Sequence, residues 1–450
     1  MGAEQELTKL RLYKGKNLLG IATDFLANTP DFVHKKEAEL GDFYKIRVPR
    51  RDLFVIFRPS VIKHVLQSNA RNYKKSIAYQ TLKEFLGEGL VTSEGDLWKK
   101  QRKISQPVFY KSNLKNLISG MVKVVDEYYL ELAQRVEGED TINIASEMMQ
   151  VTADVVMGTL FSSAYGFDKE QMYEAVGFSQ EVILKRAYMP FQRQIDKLTG
   201  THKKFIRNKQ AFDEMIFRMI KDRKENPADH VDLLSMLLNA KYEDTGEGMS
   251  DQQLRDELIT IYLAGHETSA NALSWTLFLM AQKPEVVEKL REEERRVLNG
   301  RLPVMEDFSQ LPYSRQVLDE GMRLYPPAYV VSRQAIEDDI VDGAKIPSDS
   351  SVYLSFYALQ RSPKYWEHPD EFNPERFSPE NKIPRHAYMP FGAGARMCIG
   401  NHFAMMEMQI LLCLLVRRFD FSLVPDQKIE MQPLVTLKPK HGILLKMKPR

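Results

Sequence analysis

The sequence predicts a mainly α-helical protein with smaller β-sheets. Three observations lead there. A helical pattern runs with little interruption from about residue 96 to 300. Short strand-like runs are confined to residues 25–70, 325–360 and the C-terminus. No repeat, low-complexity tract or Gly/Ser linker interrupts the 450 residues. The third observation makes one domain over residues 1–450 the expectation.

In chain order, residues 25–70 mix short apolar runs such as "DLFVIF" with turn signals and predict strands plus a helix. "DLWKKQRKISQPVF" and "ELITIYLAGHETSANALSWTLFLMAQ" carry the clearest helical periodicity. Ser250-Asp251 offers the second segment a cap and Lys283-Pro284 a stop. Another helix should end near "RLYPP", because paired prolines cannot continue it. Strand-like runs return over 325–360. The stretch "RSPKYWEHPDEFNPERFSPENKIPRHAYMPFGAGARMCIG" is rich in proline, aromatic residues and charge but has no periodicity. It reads as a long ordered loop, and such loops are usually functional. A last helix follows Cys398, and strands close the chain.

Composition narrows the class. With 63 basic against 61 acidic residues, the net charge of +2 is too balanced to suggest nucleic acid. Two cysteines exclude a disulfide framework and fit a reducing compartment. "MGAEQELTKLRLYKGKNLLG" lacks the apolar core of a signal peptide, and no stretch reaches the roughly 18 apolar residues of a spanning helix. The expectation is a cytoplasmic protein, monomeric and without a transmembrane anchor.

Cys398, in "FGAGARMCIG", admits four roles. It can be a buried structural thiol, the commonest fate of a lone cysteine. A nucleophile needs a base, and none is apparent nearby. Zinc needs more ligands than Cys398 and His402 supply. The fourth role is the single thiolate ligand of a haem iron, and the neighbours favour it. Gly392, Gly394 and Gly400 let the backbone approach a flat macrocycle. The N-terminus of the following helix favours thiolate over thiol. Arg396 offers a permanent charge to an acidic cofactor edge, and Phe391 an apolar ring to shield the sulfur.

The spacing Phe391-x-x-Gly394-x-Arg396-x-Cys398-x-Gly400 resembles the haem-binding signature of the cytochrome P-450 family of haem-thiolate monooxygenases. Four further motifs occur in that family's order: Trp98-x-x-x-Arg102, "AGHET" at 264–268, Glu320-x-x-Arg323, and "PERF" at 374–377. Gln101 departs from the pattern, since many members carry His there. The resemblance implies the family's fold, with haem b (iron protoporphyrin IX) between a long central helix and the cysteine loop. Cys398 is implied as the iron's axial ligand. Trp98, Arg102, Arg333 and Arg396 are implied to reach the haem propionates, and Ala264, Phe391, Gly392 and Gly400 to contact the ring.

Each motif also has a plainer meaning. Taken alone, Glu320 and Arg323 describe a surface ion pair of little worth. The resemblance implies that they join Arg376 in a buried cluster holding the cysteine loop. Taken alone, Thr268 bonds back to an upstream carbonyl and Glu267 is partly exposed. The resemblance implies an acid–alcohol pair that relays two protons for cleavage of the O–O bond. His266, His386 and His402 read as structural, Cys413 as core, and Met405, Met406 and Met408 as packing.

The implied activity is hydroxylation: one oxygen atom from O2 enters a C–H bond of a lipophilic substrate, such as a fatty acid, terpenoid or steroid. Candidate pocket residues are Leu263, Ala264, Tyr329 and Leu437, with apolar segments "AYQTLKEFLGEGLV" and "RAYMPFQ" nearby. No flavin- or iron–sulfur-binding segment is read in the chain. Electrons are therefore expected from NAD(P)H through a separate ferredoxin or flavodoxin. Lys99, Lys100, Lys103 and Lys111, with Arg417-Arg418, offer such an acidic donor a basic patch. Two other classes stand beside this one: a peroxide-driven peroxygenase of the same fold, and a non-catalytic haem- or ligand-binding protein.

Overall fold

The thirty residues Asp251–Met280 form the longest helix in the computed structural model, which describes residues 8–14, 28–48, 51–138, 140–160, 169–189, 191–227, 232–242 and 244–450. Residues 25–27 and 49–50 of the first strand-bearing stretch lie outside that set. The helix starts where Ser250 Oγ accepts a hydrogen bond from Gln253 N, and Asp251 adds charge in its first turn. It stops three residues short of Pro284, which opens the next helix, Pro284–Leu298. Between these ends most of its residues are buried, including the polar Arg255, Asp256, Glu257, His266 and Glu267.

Contacts divide the chain into two units. The unit holding the central helix (77–318, 399–429 and 441–450) is helical. Its core packs Asp251–Met280 against Ile144–Leu160, Thr201–Glu225 and Asn401–Arg418. Ile77–Leu86, Gly95–Ser105, Lys111–Gly138 and Lys169–Tyr188 complete its main helices. One three-stranded sheet closes it, in the order Phe419–Leu423, Leu444–Pro449, Thr141–Asn143.

The second unit (1–76, 319–398 and 430–440) is built on a six-stranded sheet. Phe43–Val48 pairs antiparallel with Arg51–Ile56, and Arg51–Ile56 pairs parallel with Ser351–Ser355. Val330–Ala335 lies antiparallel between Ser351–Ser355 and Tyr73–Lys75. Phe54, Val55 and Ile56 are all buried, so "DLFVIF" is a strand covered on both faces rather than an alternating one. Helix Pro312–Leu324 ends just before Pro326-Pro327. From 361 to 400 the backbone is irregular apart from the short 3-10 turns Pro374–Phe377 and Gly394–Arg396.

Candidate active site

The long loop is held by charge. Glu320 and Arg323 lie one turn apart on helix Pro312–Leu324, and both are fully buried. Arg323 donates from Nε and a terminal nitrogen to the two Glu320 oxygens, at 2.7 and 2.9 Å. Its other bonds go to the carbonyls of Gln360, Pro369 and Glu371. Arg376 donates to Glu320 Oε1 at 3.3 Å and to the carbonyls of Glu367 and His368. Asn373 N reaches the same Glu320 oxygen at 3.0 Å, and the Trp366 ring lies under the Arg323 guanidinium. Two guanidiniums thus satisfy five carbonyls, and Glu320 one N–H, in a segment with little secondary structure to do so.

At the end of this loop the backbone folds back on itself. Cys398 N donates to Phe391 O at 2.9 Å and Met397 N to Gly394 O at 3.1 Å. Gly394 has φ +70°, and a Cβ there would sit 2.1 Å from the Leu66 carbonyl oxygen, so only glycine fits. Gly392 has φ +73° with open space beside it, so its need is conformational alone. The closure leaves Cys398 exposed with Arg396 half-buried two residues away. Cys413 is the opposite case: burial pushes its thiol up to about 12, which makes it inert core. The helix after the loop starts at Asn401 with Gly400 as its cap, three residues later than Cys398.

On the central helix, burial is continuous from Leu254 to Tyr262 and again from Ser269 to Leu277. Between them Ala264 is exposed, and Leu263, Gly265 and Thr268 are half-buried. Ala264 and Thr268 are one turn apart, and the Thr268 hydroxyl donates to Ala264 O at 2.7 Å. Glu267 points elsewhere. It is buried, not partly exposed, and accepts a hydrogen bond from Gln180 on helix Lys169–Tyr188. His266 is buried, with Nδ1 2.7 Å from Tyr262 O, and burial lowers its pKa.

Trp98 and Arg102 are half-buried on one face of helix Gly95–Ser105, and Arg102 Nε reaches Gln106 Oε1 at 3.3 Å. Between them Gln101 is fully buried, tying Ser93 Oγ and the Glu88 carbonyl to the helix. Arg333 is buried on strand Val330–Ala335 and donates to Ser332 O at 3.0 Å. Tyr329 and Leu437 sit in a small core cluster with Tyr357, and Tyr329 OH donates to Leu434 O. Ala328 and Val330 on either side are half-buried, and Val330 packs against the same cluster.

Several side chains here carry no sequence motif. Asp256 and Glu257, inside the central helix, accept from the backbone N–H groups of Glu88 and Leu90. Gly87 and Gly89 leave no room for a Cβ against Asp256 and Thr260. These contacts pin the turn that "AYQTLKEFLGEGLV" ends in. In "RAYMPFQ", Arg186 is neutralised by Glu84 and Asp196, while Pro190 lies outside the described residues. Of the expected basic patch, Lys99 pairs with Asp96 and Lys100 with Asp244. Arg417 and Arg418 are taken by Glu294 and Asp126 and serve helix packing. The Lys111 side chain lies outside the described residues.

The donor set fits a haem. One exposed thiol, in a loop whose glycines exclude side chains, suits an iron with four ring nitrogens of its own. Among the described residues no three His, Cys, Asp or Glu side chains gather to hold a bare metal ion. Arg396 and Arg333, both in the sheet-bearing unit, are cations of the kind that propionates pair with.

Comparison with known proteins agrees. The family model described as Cytochrome P450 matches residues 15–447. The chain is 32% identical over 421 residues to a Mycobacterium tuberculosis protein described as cytochrome P450 132, covering 90% of this chain and 89% of that one. It is 32% identical over 420 residues to cyclooctatin synthase of Streptomyces melanosporofaciens, covering 88% and 86%. It is 30% identical over 450 residues to the chloroplastic carotene epsilon-monooxygenase of Arabidopsis thaliana, covering 93% and 81%. With a family signature from end to end and relatives matched over most of their length, this chain belongs to the cytochrome P450 family and is a haem-dependent monooxygenase.

Proposed function

We propose that the chain hydroxylates a lipophilic substrate, a fatty acid, terpenoid or steroid, with electrons passed from NAD(P)H by a separate ferredoxin or flavodoxin. The observation that carries this reading is the break in the covering of the central helix at Leu263–Gly265 and Thr268. There every side chain is apolar or absent except for one hydroxyl. Bound haem supplies the iron at which O2 is reduced and split, one atom going to carbon and the other to water.

The chain's own residues divide the rest of the work. Cys398 gives the iron its protein ligand and lends electron density to the cleavage. Arg396, Arg333, Arg102 and Trp98 hold the carboxylate edge. Ala264 and Gly265 keep the helix from filling the reaction space. The Thr268 hydroxyl receives and hands on protons, and Glu267 restores them from the protein side. Leu263 and the apolar segment around 78–91 bind substrate by burial. Arg186 is already neutralised by Glu84 and Asp196, so it offers no charged anchor to a polar substrate. One relative carries carotene, a hydrocarbon, in its name. A peroxide-driven reaction needs no proton relay, and the intact Glu267-Thr268 pair favours O2. A reducing compartment, the cytoplasm, suits both a thiolate ligand and protein electron donors.

The test is a spectral titration of the ferric protein with dodecanoic acid, geranylgeraniol, progesterone and, as a polar control, glucose. A low-to-high-spin shift with at least one lipophile and none with glucose is expected. A shift with none of the lipophiles overturns the substrate class.

A further inference from the structure

The amide of Gln180 occupies an unusual position. It is buried on helix Lys169–Tyr188, and its Nε2 donates to Glu267 Oε2 across 87 residues of sequence. Its Oε1 is buried with no hydrogen-bond partner. A buried amide group left half-satisfied costs free energy. A Leu or Met would fill the same volume without that penalty, and a Lys or Arg would pair with a carboxylate more strongly.

What distinguishes glutamine is that it serves both protonation states of its partner. The N–H group donates to a carboxylate. After a half-turn of the amide, the carbonyl accepts from a carboxylic acid O–H. We propose that Gln180 is a positioning residue for Glu267. It holds the ionised carboxylate turned away from Thr268 and, by turning its amide, supports the protonated acid that delivers a proton. The step balances without electrons. A hydronium O–H bond in solvent breaks, leaving water, as the Glu267 O–H forms. That O–H then breaks as the proton passes to the Thr268 side, and the carboxylate returns to Gln180.

Glu407, on Asn401–Arg418, is a buried carboxyl that interacts with the Ser269 hydroxyl, two residues on from Glu267. His266 and Tyr262 share the helix with Glu267. Burial keeps His266 neutral and Tyr262 protonated. Asp154, on Ile144–Leu160, acts on Tyr262. Gln180 is thus the group from the facing helix whose hydrogen bond depends on the charge of Glu267.

The inference rests on the proposed relay role of Glu267, and the experiment separates the two. In the holoprotein, the infrared carboxyl band removed by Glu267→Gln is titrated with pH. Gln180→Leu should move that titration upward by about one pH unit, because the ionised form loses its donor in a buried site. Gln180→Glu should move it further through like charge. Gln180→Met replaces Leu if Leu prevents folding. Product per electron is then followed against pH with dodecanoic acid and a surrogate ferredoxin. The pH at which coupling fails should shift with the band, and Gln180→Leu should add nothing to the loss in Glu267→Gln. An unmoved titration in the Gln180 variants overturns the positioning role. Unchanged coupling in Glu267→Gln overturns the relay instead, and with it the use of Gln180 in catalysis.

Discussion

Thr268 has one hydroxyl and uses it on a carbonyl four residues back, which already has a helical partner to share. That bond adds little to stability, so Thr268→Ala should leave folding, haem content and substrate binding nearly intact. It should instead divert electrons to hydrogen peroxide, lowering product per electron about tenfold or more. An unchanged ratio of product to electrons would place the relay elsewhere. Cys398 is the converse, a residue whose value is chemical. Cys398→His should abolish the thiolate-type carbon monoxide band of the reduced protein, and survival of that band would disprove the assignment of the ligand.

At the scale of an element, two buried charges set the stability of their segments. Arg323 holds a helix to an irregular loop through Glu320 and three carbonyls. Arg323→Ala strands the Glu320 carboxylate, a loss of roughly 3–5 kcal/mol. Little haem-loaded protein is expected, and near-parental yield and melting temperature would refute the dependence. Glu407, on helix Asn401–Arg418, is buried without a well-formed hydrogen bond. Burial pushes it from 4.5 up to about 8, offset in part by the Ser269 hydroxyl. The unfolded chain ionises first, so the folded state holds the extra proton between those values, and stability falls as pH rises through that window. Glu407→Gln removes the slope. It should match the parent near pH 4.5 and exceed it by roughly 2–4 kcal/mol near pH 7. Identical pH dependence in parent and variant would show that Glu407 ionises freely.

At the scale of the whole molecule, 63 basic and 61 acidic residues nearly cancel, so any steering of an electron donor must come from local arrangement. Lys99 and Lys100 are exposed, but each has an aspartate partner. Their pull on an acidic ferredoxin is therefore damped. Reversing Lys99, Lys100 and Lys103 to Glu should slow reduction at low salt by about threefold, fading as ionic strength rises, with substrate affinity unchanged. Indifference to both salt and reversal would move the docking surface elsewhere.

The sequence by itself determined what is written locally. A cap and a stop bounded the central helix, paired prolines ended another, and the cysteine signature named both its loop and its family. These are legible because capping, proline geometry and a fixed spacing of ligand residues act over a few positions along the chain. Tertiary structure decided which side chains met. It buried Glu267 against Gln180, took Arg417 and Arg418 into helix packing, and turned Tyr329 and Leu437 into core. It also used Gln101 to hold Ser93 and Glu88. Those outcomes depend on segments tens or hundreds of residues apart, and on which face of a helix or strand a neighbour covers. A glutamine or lysine looks the same in sequence whether it faces water or a buried carboxylate, because only the partner brought by the fold sets its energy.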